Sequence, residues 1–444
     1  MKKINLVFCS SPDYSNNAKS LYDYIIENYK DFFHIQWVIQ RKEVYYLLKD
    51  RLDCVLYGTK EFYIVMEKAN VIFTTHAQLS HLKRKNQLYV ELWHGVSPKK
   101  IGYLIQNITK SDINWTNTVS ENIDYFIVPS DFWVPIFSSR FHVEPNRVLP
   151  LGFPVVRNIV NAKGGENLSK LLHKSLDSYN HIVYYMPTYR QNNDHEKETF
   201  INEKNIFNFS LYDEKILLDF LQNEKILLCV KRHPEEIAEY SIPSHPNIVN
   251  ITSHELAKNG WCVDDILNAA DLLITDYSSL GLEFLVLDKP VLYLNSDVQD
   301  YQTKRGILFS NFDFWTDGNT ASNIDELIVK TNMLLKTKTT SNNKKNLLFE
   351  QALENGGCKN ICDFLFDKNK INKNVKYYVS YQKTLKEQIE NLNNQHQKDQ
   401  SLLKLYKNDI FEKQAEIDKI LNSKSWKIIS VFRNMKNKIL FWRK

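Results

Sequence analysis

One stretch, ADLLITDYSSLGLEFLVLDKPVLYL at residues 270–294, constrains the fold of this chain more than any other. Within it, Leu272–Thr275 and Val291–Leu294 are short apolar runs with the length of buried parallel strands. Between them, Asp276–Ser279 precedes apolar residues at helical spacing, and an Asp-Lys-Pro sequence ends that helix. The pattern therefore predicts a strand, a tight turn, a helix and a second parallel strand.

The turn in this unit has a chemical consequence. It presents backbone N–H groups and the hydroxyls of Ser278 and Ser279 at a helix N-terminus, on the carboxyl edge of a sheet. That arrangement binds phosphate in many α/β proteins. From this stretch alone, a buried unit with serine caps and no ligand is the alternative interpretation.

The rest of the chain repeats the alternation of apolar runs and helical patterns, for example helices over Lys19–Tyr29 and Asp131–Arg140, and over Asp213–Leu221 and Val263–Ala270. The other candidate strands are Ile4–Cys9, Phe33–Ile39, Cys54–Tyr57, Val71–Thr74, Leu88–Trp93, Tyr125–Val128, Arg147–Pro150, Ile182–Met186 and Ile226–Val230. Such alternation predicts an α/β fold with parallel sheets covered by helices on both faces. Two series of strands predict two Rossmann-like domains facing a cleft, the GT-B architecture, connected near Lys163-Gly164-Gly165.

These patterns divide the chain into four predicted regions. An N-terminal acceptor-side domain covers residues 1–160, and a C-terminal nucleotide-binding domain covers residues 161–370. A helical or coiled-coil segment follows over residues 371–422, and a basic amphipathic helix over residues 423–444. A chain of 444 residues is long enough for this organisation.

Composition excludes several classes of protein. The hydrophobic content of 43% and charged content of 25% are those of a soluble globular protein, and no apolar run has transmembrane length. Six scattered cysteines without close pairs predict neither zinc nor a disulfide framework, which favours a reducing cytosol. Of the net charge of +5, seven positive charges and no negative ones lie after Ser423, so the remainder carries −2. A broad nucleic-acid surface is therefore not expected.

The end of the chain changes character. Apolar residues recur at steps of three and four through much of residues 385–420, which predicts either a coiled coil or one long helix docked on the core. The last stretch, SKSWKIISVFRNMKNKILFWRK, combines lysines and arginines with aromatic residues at helical spacing. This pattern predicts an interfacial membrane helix, with packing on a partner subunit as the alternative.

Four further polar loops follow predicted strands, where an α/β cleft collects its ligands. A histidine can act as a base near neutral pH, and arginine can grip phosphate through two N–H groups. Each loop alone is equally compatible with a solvated turn. Taken in order, the loops supply His94, Gly95, Lys99 and Lys100, then Ser130 and Gly152, then Arg190, and finally Lys231 and His233.

Together these motifs resemble the CDP-glycerol glycerophosphotransferase family, which builds teichoic acids and related capsule polymers. The resemblance covers roughly residues 70–365 and rests on motifs in the family's order, at Trp93–Lys99, Ser130–Phe137, Gly152–Asn158, Met186–Arg190, Lys231–Pro234 and Thr275–Pro290. Two departures are visible. Val96-Ser97-Pro98 stands where the family usually has Thr-Pro-Leu, and Val155-Val156 displaces the usual arginine, so Arg157 is not equivalent to it.

The resemblance implies a reaction. A hydroxyl of a surface-polymer acceptor would attack the β-phosphorus of a CDP-alditol, glycerol phosphate being the expected cargo, and CMP would leave. By match to the family's motifs, His94 would take the acceptor's proton. Arg190, His233, Ser278 and Ser279 would hold the diphosphate, with His233 counted as catalytic together with His94. Lys231 and Asp276 would belong to the same donor- and phosphate-binding set. Glu283, one helical turn beyond Ser279, would meet a ribose hydroxyl. Gly95, Lys99, Lys100, Ser130 and Gly152 would lie on the acceptor side.

The partners and cofactors follow from the same resemblance. The expected partners are the CDP-alditol donor, a lipid-linked or oligosaccharide acceptor, an anionic membrane surface and a second copy joined through the coiled coil, with no nucleic acid. No cofactor is required, and Mg²⁺ is not indicated by any acidic cluster. The protein is expected on the cytoplasmic face of the cell membrane. Two rival functions remain: a GT-B glycosyltransferase that uses a nucleotide sugar, and an inactive membrane adaptor.

Overall fold

The computed structural model describes residues 3–105, 108–188, 205–232, 242–304, 306–309, 312–337 and 343–366, with six single residues between 401 and 419. The chain divides into two compact units, residues 1–366 and residues 367–444. Nearly everything described belongs to the first unit. The predicted coiled coil and the predicted membrane helix lie almost wholly outside the described residues, so both stay predictions.

The first sheet is parallel throughout and has the strand order β3-β2-β1-β4-β5-β6-β7. Its strands are β1 Ile4–Cys9, β2 Phe33–Ile39, β3 Cys54–Leu56, β4 Val71–Thr74, β5 Leu88–Glu91, β6 Tyr125–Val128 and β7 Val148–Pro150. The strand order reverses between β1 and β4. A crevice for ligands forms at such a reversal, outside the carboxyl ends of the strands.

The second sheet is also parallel, with the order β10-β9-β8-β11-β12-β13 and a reversal between β8 and β11. Its strands are β8 His181–Tyr185, β9 Ile226–Val230, β10 Ile248–Asn250, β11 Leu272–Thr275, β12 Val291–Leu294 and β13 Thr320–Ala321. The prediction of an α/β fold with two Rossmann-like sheets is confirmed. Strands β10 and β13 were not predicted, because runs of three and two residues carry no readable alternation.

The helices that cover the two sheets are α1 Asn16–Tyr29, α2 Lys42–Leu48, α3 Lys60–Lys68, α4 Lys110–Asn122, α5 Trp133–Phe141, α6 Pro154–Asn161, α7 Gly164–Leu172, α8 Glu214–Asn223, α9 Ser253–Lys258, α10 Ser279–Glu283, α11 Val298–Lys304, α12 Phe312–Thr316, α13 Ile324–Lys336, α14 Asn343–Phe349 and α15 Cys358–Phe366. Several begin at the residues that chemistry favours. Thr109 and Asp112 form a capping box at α4, and the side chain of Asn323 caps α13.

One local prediction is wrong. The segment predicted as a helix over Val263–Ala270 instead forms two short 3₁₀ turns, because the side chain of Asn268 donates to the carbonyl of Ala162. The connection predicted near Lys163-Gly164-Gly165 is helical, since α7 begins at Gly164, whose N–H donates to Asn268 at 3.0 Å. Helices α6 and α7 therefore form the connection between the two sheets.

The end of the first compact unit returns to the first sheet. Phe366 packs on Phe33 with ring centroids 4.7 Å apart, and Phe364 meets Tyr125 at 5.4 Å. The predicted domain limits did not anticipate this return. Burying these aromatic rings against the first sheet removes apolar surface from water, so the segment also ties the two sheets together.

Candidate active site

A cavity of about 430 Å³ lies between the two sheets. Its walls come from segments that follow strands on both sides, namely β1, β2, β4 and β5 of the first sheet and β8, β9, β10 and β11 of the second. Seven of the residues predicted from sequence line it: His94, Gly95, Lys99, Lys231, Ser278, Ser279 and Glu283. The carboxyl ends of two parallel sheets thus meet at one partly open cavity.

His94 is held in a defined orientation. Its Nδ1 lies 2.9 Å from the carbonyl oxygen of Thr75, which fixes the proton on Nδ1 and leaves Nε2 as the proton-accepting nitrogen. The ring stacks on His76 with centroids 3.6 Å apart. Withdrawal from solvent lowers the pKa of His94 to about 4, and the positive charges of Lys99 and Arg140 lower it further. His94 is therefore neutral at physiological pH.

The loop that carries His94 makes direct contact with the second sheet's side of the cavity. Gly95 has a φ of +138°, and a Cβ atom there would lie 2.6 Å from Oε1 of Glu283 and 2.7 Å from Oγ of Ser279. Because a side chain would collide with both, only glycine allows this approach. The main chain of the same loop also pairs with residues 306–308, through Lys100 N–H to the Gly306 carbonyl at 3.1 Å.

Glu91 anchors this loop from beneath and was not singled out from the sequence. It is fully buried, and its carboxyl group accepts hydrogen bonds from the N–H groups of Trp93 at 2.9 Å and Ala77 at 2.8 Å, and from the hydroxyl of Thr74. Burial raises the pKa of Glu91 to about 7. The available signal was a glutamate that ends an apolar strand two residues before Trp93, the first residue of a Trp-His-Gly sequence.

Arg140 supports the other end of the loop and was also missed. It is fully buried, donates to the carbonyls of Ser97 at 3.2 Å and Lys99 at 3.1 Å, and lies over the ring of Trp133. Burial lowers the pKa of Arg140 to about 9. No signal in the sequence separates this arginine from a surface residue of α5, because its partners are remote in the chain.

The turn after β11 has the predicted cap but a shorter helix. The side chain of Ser278 accepts from the N–H of Leu280 at 3.3 Å. The α-helix covers Ser279–Glu283 and continues as a 3₁₀ helix over Phe284–Leu287 rather than as one regular helix. The hydroxyls of Ser278 and Ser279 line the cavity, as the sequence predicted.

Asp276 does not line this cavity. Its carboxylate accepts from the N–H and the hydroxyl of Thr188, both at 2.9 Å, and it is 1% exposed. A carboxylate turned toward Thr188 positions the loop after β8 and offers no attraction to phosphate. Its assignment to the donor- and phosphate-binding residues therefore has no support from this cavity and stays a prediction.

Charged groups of the second sheet meet at the floor of the cavity. Burial lowers the pKa of Lys231, while burial and the neighbouring charge of Asp265 raise the pKa of Asp264 to about 6. Burial and the charge of Asp264 raise the pKa of Glu283 well above its ordinary value. One lysine thus shares a dry site with two carboxyl groups that are held toward their neutral forms.

The loop after β1 is the largest part of the cavity that sequence reasoning missed. It places Ser11–Asn16 on the wall, with Arg41 beside it. Asn16 donates to the His94 carbonyl at 3.3 Å, and the Asp13 carboxylate accepts from the N–H of Arg41 at 2.9 Å. The sequence SSPDYSNN after a predicted strand was the same signal that identified the other loops.

Several predicted residues lie elsewhere. The Ser130 hydroxyl donates to the Leu347 carbonyl at 2.7 Å, and Gly152 packs tightly against Gly357, so both position the returning C-terminal segment. The Lys100 side chain packs over Gly306 instead of lining the cavity, since its main chain pairs there. None of these three predictions of an acceptor contact anticipated the long-range partners. Arg190 and His233 lie outside the described residues, so their placement stays a prediction.

Within the described ranges, no group of three or more His, Cys, Asp or Glu side chains is arranged to hold a metal ion. Across the same ranges, no helix has both the length and the apolar character needed to cross a membrane.

The chain is similar to known proteins over most of its length. A family model described as CDP-Glycerol:Poly(glycerophosphate) glycerophosphotransferase matches residues 1–355. The chain is 30% identical over 270 residues to the teichoic acid glycerol-phosphate primase of Bacillus subtilis (strain 168), covering 59% of this chain and 64% of that protein. It is 22% identical over 380 residues to the teichoic acid glycerol-phosphate transferase of Staphylococcus aureus (strain NCTC 8325 / PS 47), covering 82% and 93%.

A solved structure shares the architecture. The wall teichoic acid polymerase TagF superposes with a TM-score of 0.65 at 21% identity, covering 84% of this chain and 90% of that chain. At this identity the superposition establishes the fold. The chain spans less than two thirds of the Bacillus subtilis primase, the relative with the higher identity of the two described above.

Proposed function

The chain belongs to the CDP-glycerol:poly(glycerophosphate) glycerophosphotransferase family, and we propose that it transfers an alditol phosphate from a CDP-activated donor to a hydroxyl of a surface-polymer acceptor. Glycerol phosphate is the expected cargo, and CMP is the product released. The observation that carries this proposal is the meeting of His94, on the first sheet, with Ser278 and Ser279, on the second, in one cavity.

The reaction follows from that geometry. The acceptor oxygen forms a bond to the β-phosphorus while the bond from that phosphorus to the CMP oxygen breaks. His94 takes the acceptor's proton on Nε2, since Nδ1 is committed to the Thr75 carbonyl. Because such a transfer needs mainly alignment and neutralisation of charge, a rigid histidine facing a phosphate loop supplies the main requirements.

The donor's diphosphate is held from the second sheet. The Ser278 and Ser279 hydroxyls line the cavity, and Lys231 adds positive charge. Arg190 and His233, predicted from the family's motifs, would add two further cationic or hydrogen-bonding groups. A protein-supplied set of this kind can neutralise phosphoryl charge, and adding or chelating Mg²⁺ during turnover tests whether the ion contributes.

A donor screen tests the proposed reaction. The purified full chain is incubated with CDP-glycerol, CDP-ribitol and nucleotide sugars, each with a lipid-linked or oligosaccharide acceptor, and nucleotide release is measured. We expect CMP from a CDP-alditol. Release of nucleotide only from a sugar donor would identify a glycosyltransferase, and no turnover of any donor would support an adaptor.

The membrane attachment rests on the sequence of the tail. Seven positive charges and several aromatic residues lie between Lys424 and Lys444. Each basic residue near an anionic surface contributes about 1 kcal/mol, so this segment would hold the enzyme at the cytoplasmic leaflet beside a lipid-linked acceptor. Deleting it should release the protein from anionic vesicles without reducing turnover of a soluble acceptor analogue. Unchanged co-sedimentation would refute the attachment.

A further inference from the structure

Glu283 stands out among the groups that line the cavity. It is 2% exposed, and its Oε1 has no hydrogen-bond partner among the described residues. A buried polar atom without a partner costs free energy, and one that also lines a cavity can recover this cost when a ligand in the cavity supplies the missing partner. The residue is therefore a candidate ligand contact rather than a structural one.

The position of Glu283 narrows the choice of ligand group. Its Oε1 lies 2.6 Å from where a Cβ of Gly95 would be, and Gly95 directly follows His94 in the chain. Ser279 touches the same point, at 2.7 Å from that Cβ position. The carboxyl group thus lies where the loop of the proposed base meets the loop of the proposed phosphate contacts.

The donor's own connectivity then distinguishes two sets of hydroxyls. In a CDP-alditol, the transferred phosphorus is close to the free hydroxyls of the alditol. The ribose diol lies about twice as many bonds away, beyond the second phosphate. A group beside both His94 and Ser279 is accordingly beside the alditol. This deduction rests on the proposed function.

We propose that Glu283 is a specificity-determining residue that binds the hydroxyl groups of the donor's alditol, rather than those of its ribose. The assignment replaces the ribose contact expected from sequence alone. It explains why Oε1 of this carboxyl group, at the contact between the two sheets, has no hydrogen-bond partner among the described residues.

The protonation state suits this role. Burial and the nearby charge of Asp264 raise the pKa of Glu283 well above its ordinary value, which favours the neutral form of the carboxyl group. A neutral carboxyl group can donate one hydrogen bond and accept others, which matches the hydroxyls of a polyol. It also avoids repulsion from the diphosphate that the same cavity would hold.

A binding comparison tests the proposal. Calorimetric affinities for CDP-glycerol, CDP and CMP are measured with the parent full chain and with Glu283→Ala, Glu283→Leu and Glu283→Gln. We expect Ala and Leu to weaken CDP-glycerol binding roughly tenfold while CDP and CMP change by less than about twofold. Gln should retain most of the affinity, because an amide also donates and accepts. Glu166→Gln, an exposed glutamate of α7 with 60% side-chain exposure, is the matched control.

Two outcomes would overturn the proposal. If CDP-glycerol, CDP and CMP all bound equally more weakly, Glu283 would contact the ribose or the phosphates instead of the alditol. If CDP-glycerol binding were unchanged, Glu283 would not contact the donor at all. Leu keeps much of the volume of Glu, so it still provides a folded variant if Ala does not fold. Failure of the proposed function is detected separately, as absence of CMP release by the parent enzyme.

Discussion

The two walls of the cavity are built on different principles. On the first sheet, two buried side chains hold the loop of His94 in place. Glu91 accepts from the Trp93 N–H of this loop and from the Ala77 N–H of the loop after β4, and Arg140 donates to the loop carbonyls of Ser97 and Lys99. On the second sheet, Glu283 keeps an oxygen without a partner among the described residues. The comparison indicates that one wall is rigid before any ligand arrives, whereas the other leaves groups for the ligand to satisfy.

The largest effect is expected from replacing His94, the proposed base on the rigid wall. His94→Ala should lower kcat by about 10²–10⁴-fold and leave donor affinity nearly unchanged, because a base acts in the transition state. His94→Gln should not restore activity, since an amide cannot accept the proton near neutral pH. Single-turnover kinetics and donor titration on variants with parental circular dichroism measure both quantities. A near-parental single-turnover rate in His94→Ala would exclude it as the base.

The next largest effect is expected from replacing Glu91, which supports the same loop. Glu91→Ala should lower the free energy of unfolding by about 2–4 kcal/mol, because the buried N–H groups of Trp93 and Ala77 lose their acceptor. Activity should fall further than the loss of folded protein explains, as the His94 loop loosens. Denaturant unfolding and kcat per folded molecule give the two numbers.

A matched control shows whether the losses in Glu91→Ala depend on the burial of Glu91 or only on the hydrogen bonds that it accepts. Glu255 also accepts through one capping box, from the N–H and hydroxyl of Thr252, but it lies exposed on α9. Glu255→Ala should cost about 1 kcal/mol and leave kcat unchanged. If both variants lost equal stability and equal activity, Glu91 would have no special connection to His94.

A third prediction tests the ligand-binding wall, where the Ser278 and Ser279 hydroxyls are proposed to contact the donor. Replacing Ser278 and Ser279 together by Ala should weaken donor binding by about 10–100-fold, with smaller losses from each alone, since hydrogen bonds to charged groups contribute about 1.5–3 kcal/mol. Backbone N–H groups remain, so the effect is partial. Calorimetry with CDP-glycerol and CMP measures it, with the exposed Ser175→Ala as control. Parental affinity in the double variant would show that neither hydroxyl contributes to donor binding.

The sequence predicted the second wall better than the first for a physical reason. In parallel sheets the loops after strands gather at one edge, so reading strand ends found Ser278, Ser279, Lys231 and His94. The loop after β1 gave the same signal and was overlooked. Arg140 could not be found this way, because its partners at Ser97 and Lys99 are about forty residues away in the chain. Contacts of that range are created by packing, not by local pattern.

The same distinction explains the errors in the fold. Most strands match because apolar runs of four to seven residues carry strong local information. The predicted helix over Val263–Ala270 failed because Asn268 bonds to the connection between the sheets, which no window of sequence reveals. The returning helix α15 was missed for a similar reason: its aromatic residues indicate burial but do not say against which sheet.

The smallest predicted effect concerns how Arg140, on the rigid wall, lowers the pKa of His94. The Arg140 charge is one of the causes that lower the pKa of His94 to about 4, after burial and together with Lys99. Since the neutral form is the base, kcat/KM should fall on the acid side only as the pH approaches that value. Arg140→Met removes the charge, so the pKa of His94 should rise and the acid limb should move upward by roughly half a unit.

The Arg140→Lys variant decides whether charge or shape is responsible. Lysine retains the positive charge but cannot make both hydrogen bonds to the loop, so its acid limb should stay near the parental pH even if kcat falls. A purely structural contribution would lower kcat in both variants and shift neither limb. Donor binding adds negative charge beside His94 and stabilises the imidazolium, so the limb of kcat should lie at higher pH than that of kcat/KM in the parent. Identical limbs for kcat and kcat/KM would mean that the diphosphate does not lie close to His94, and the proposed arrangement of the two walls would then be incorrect.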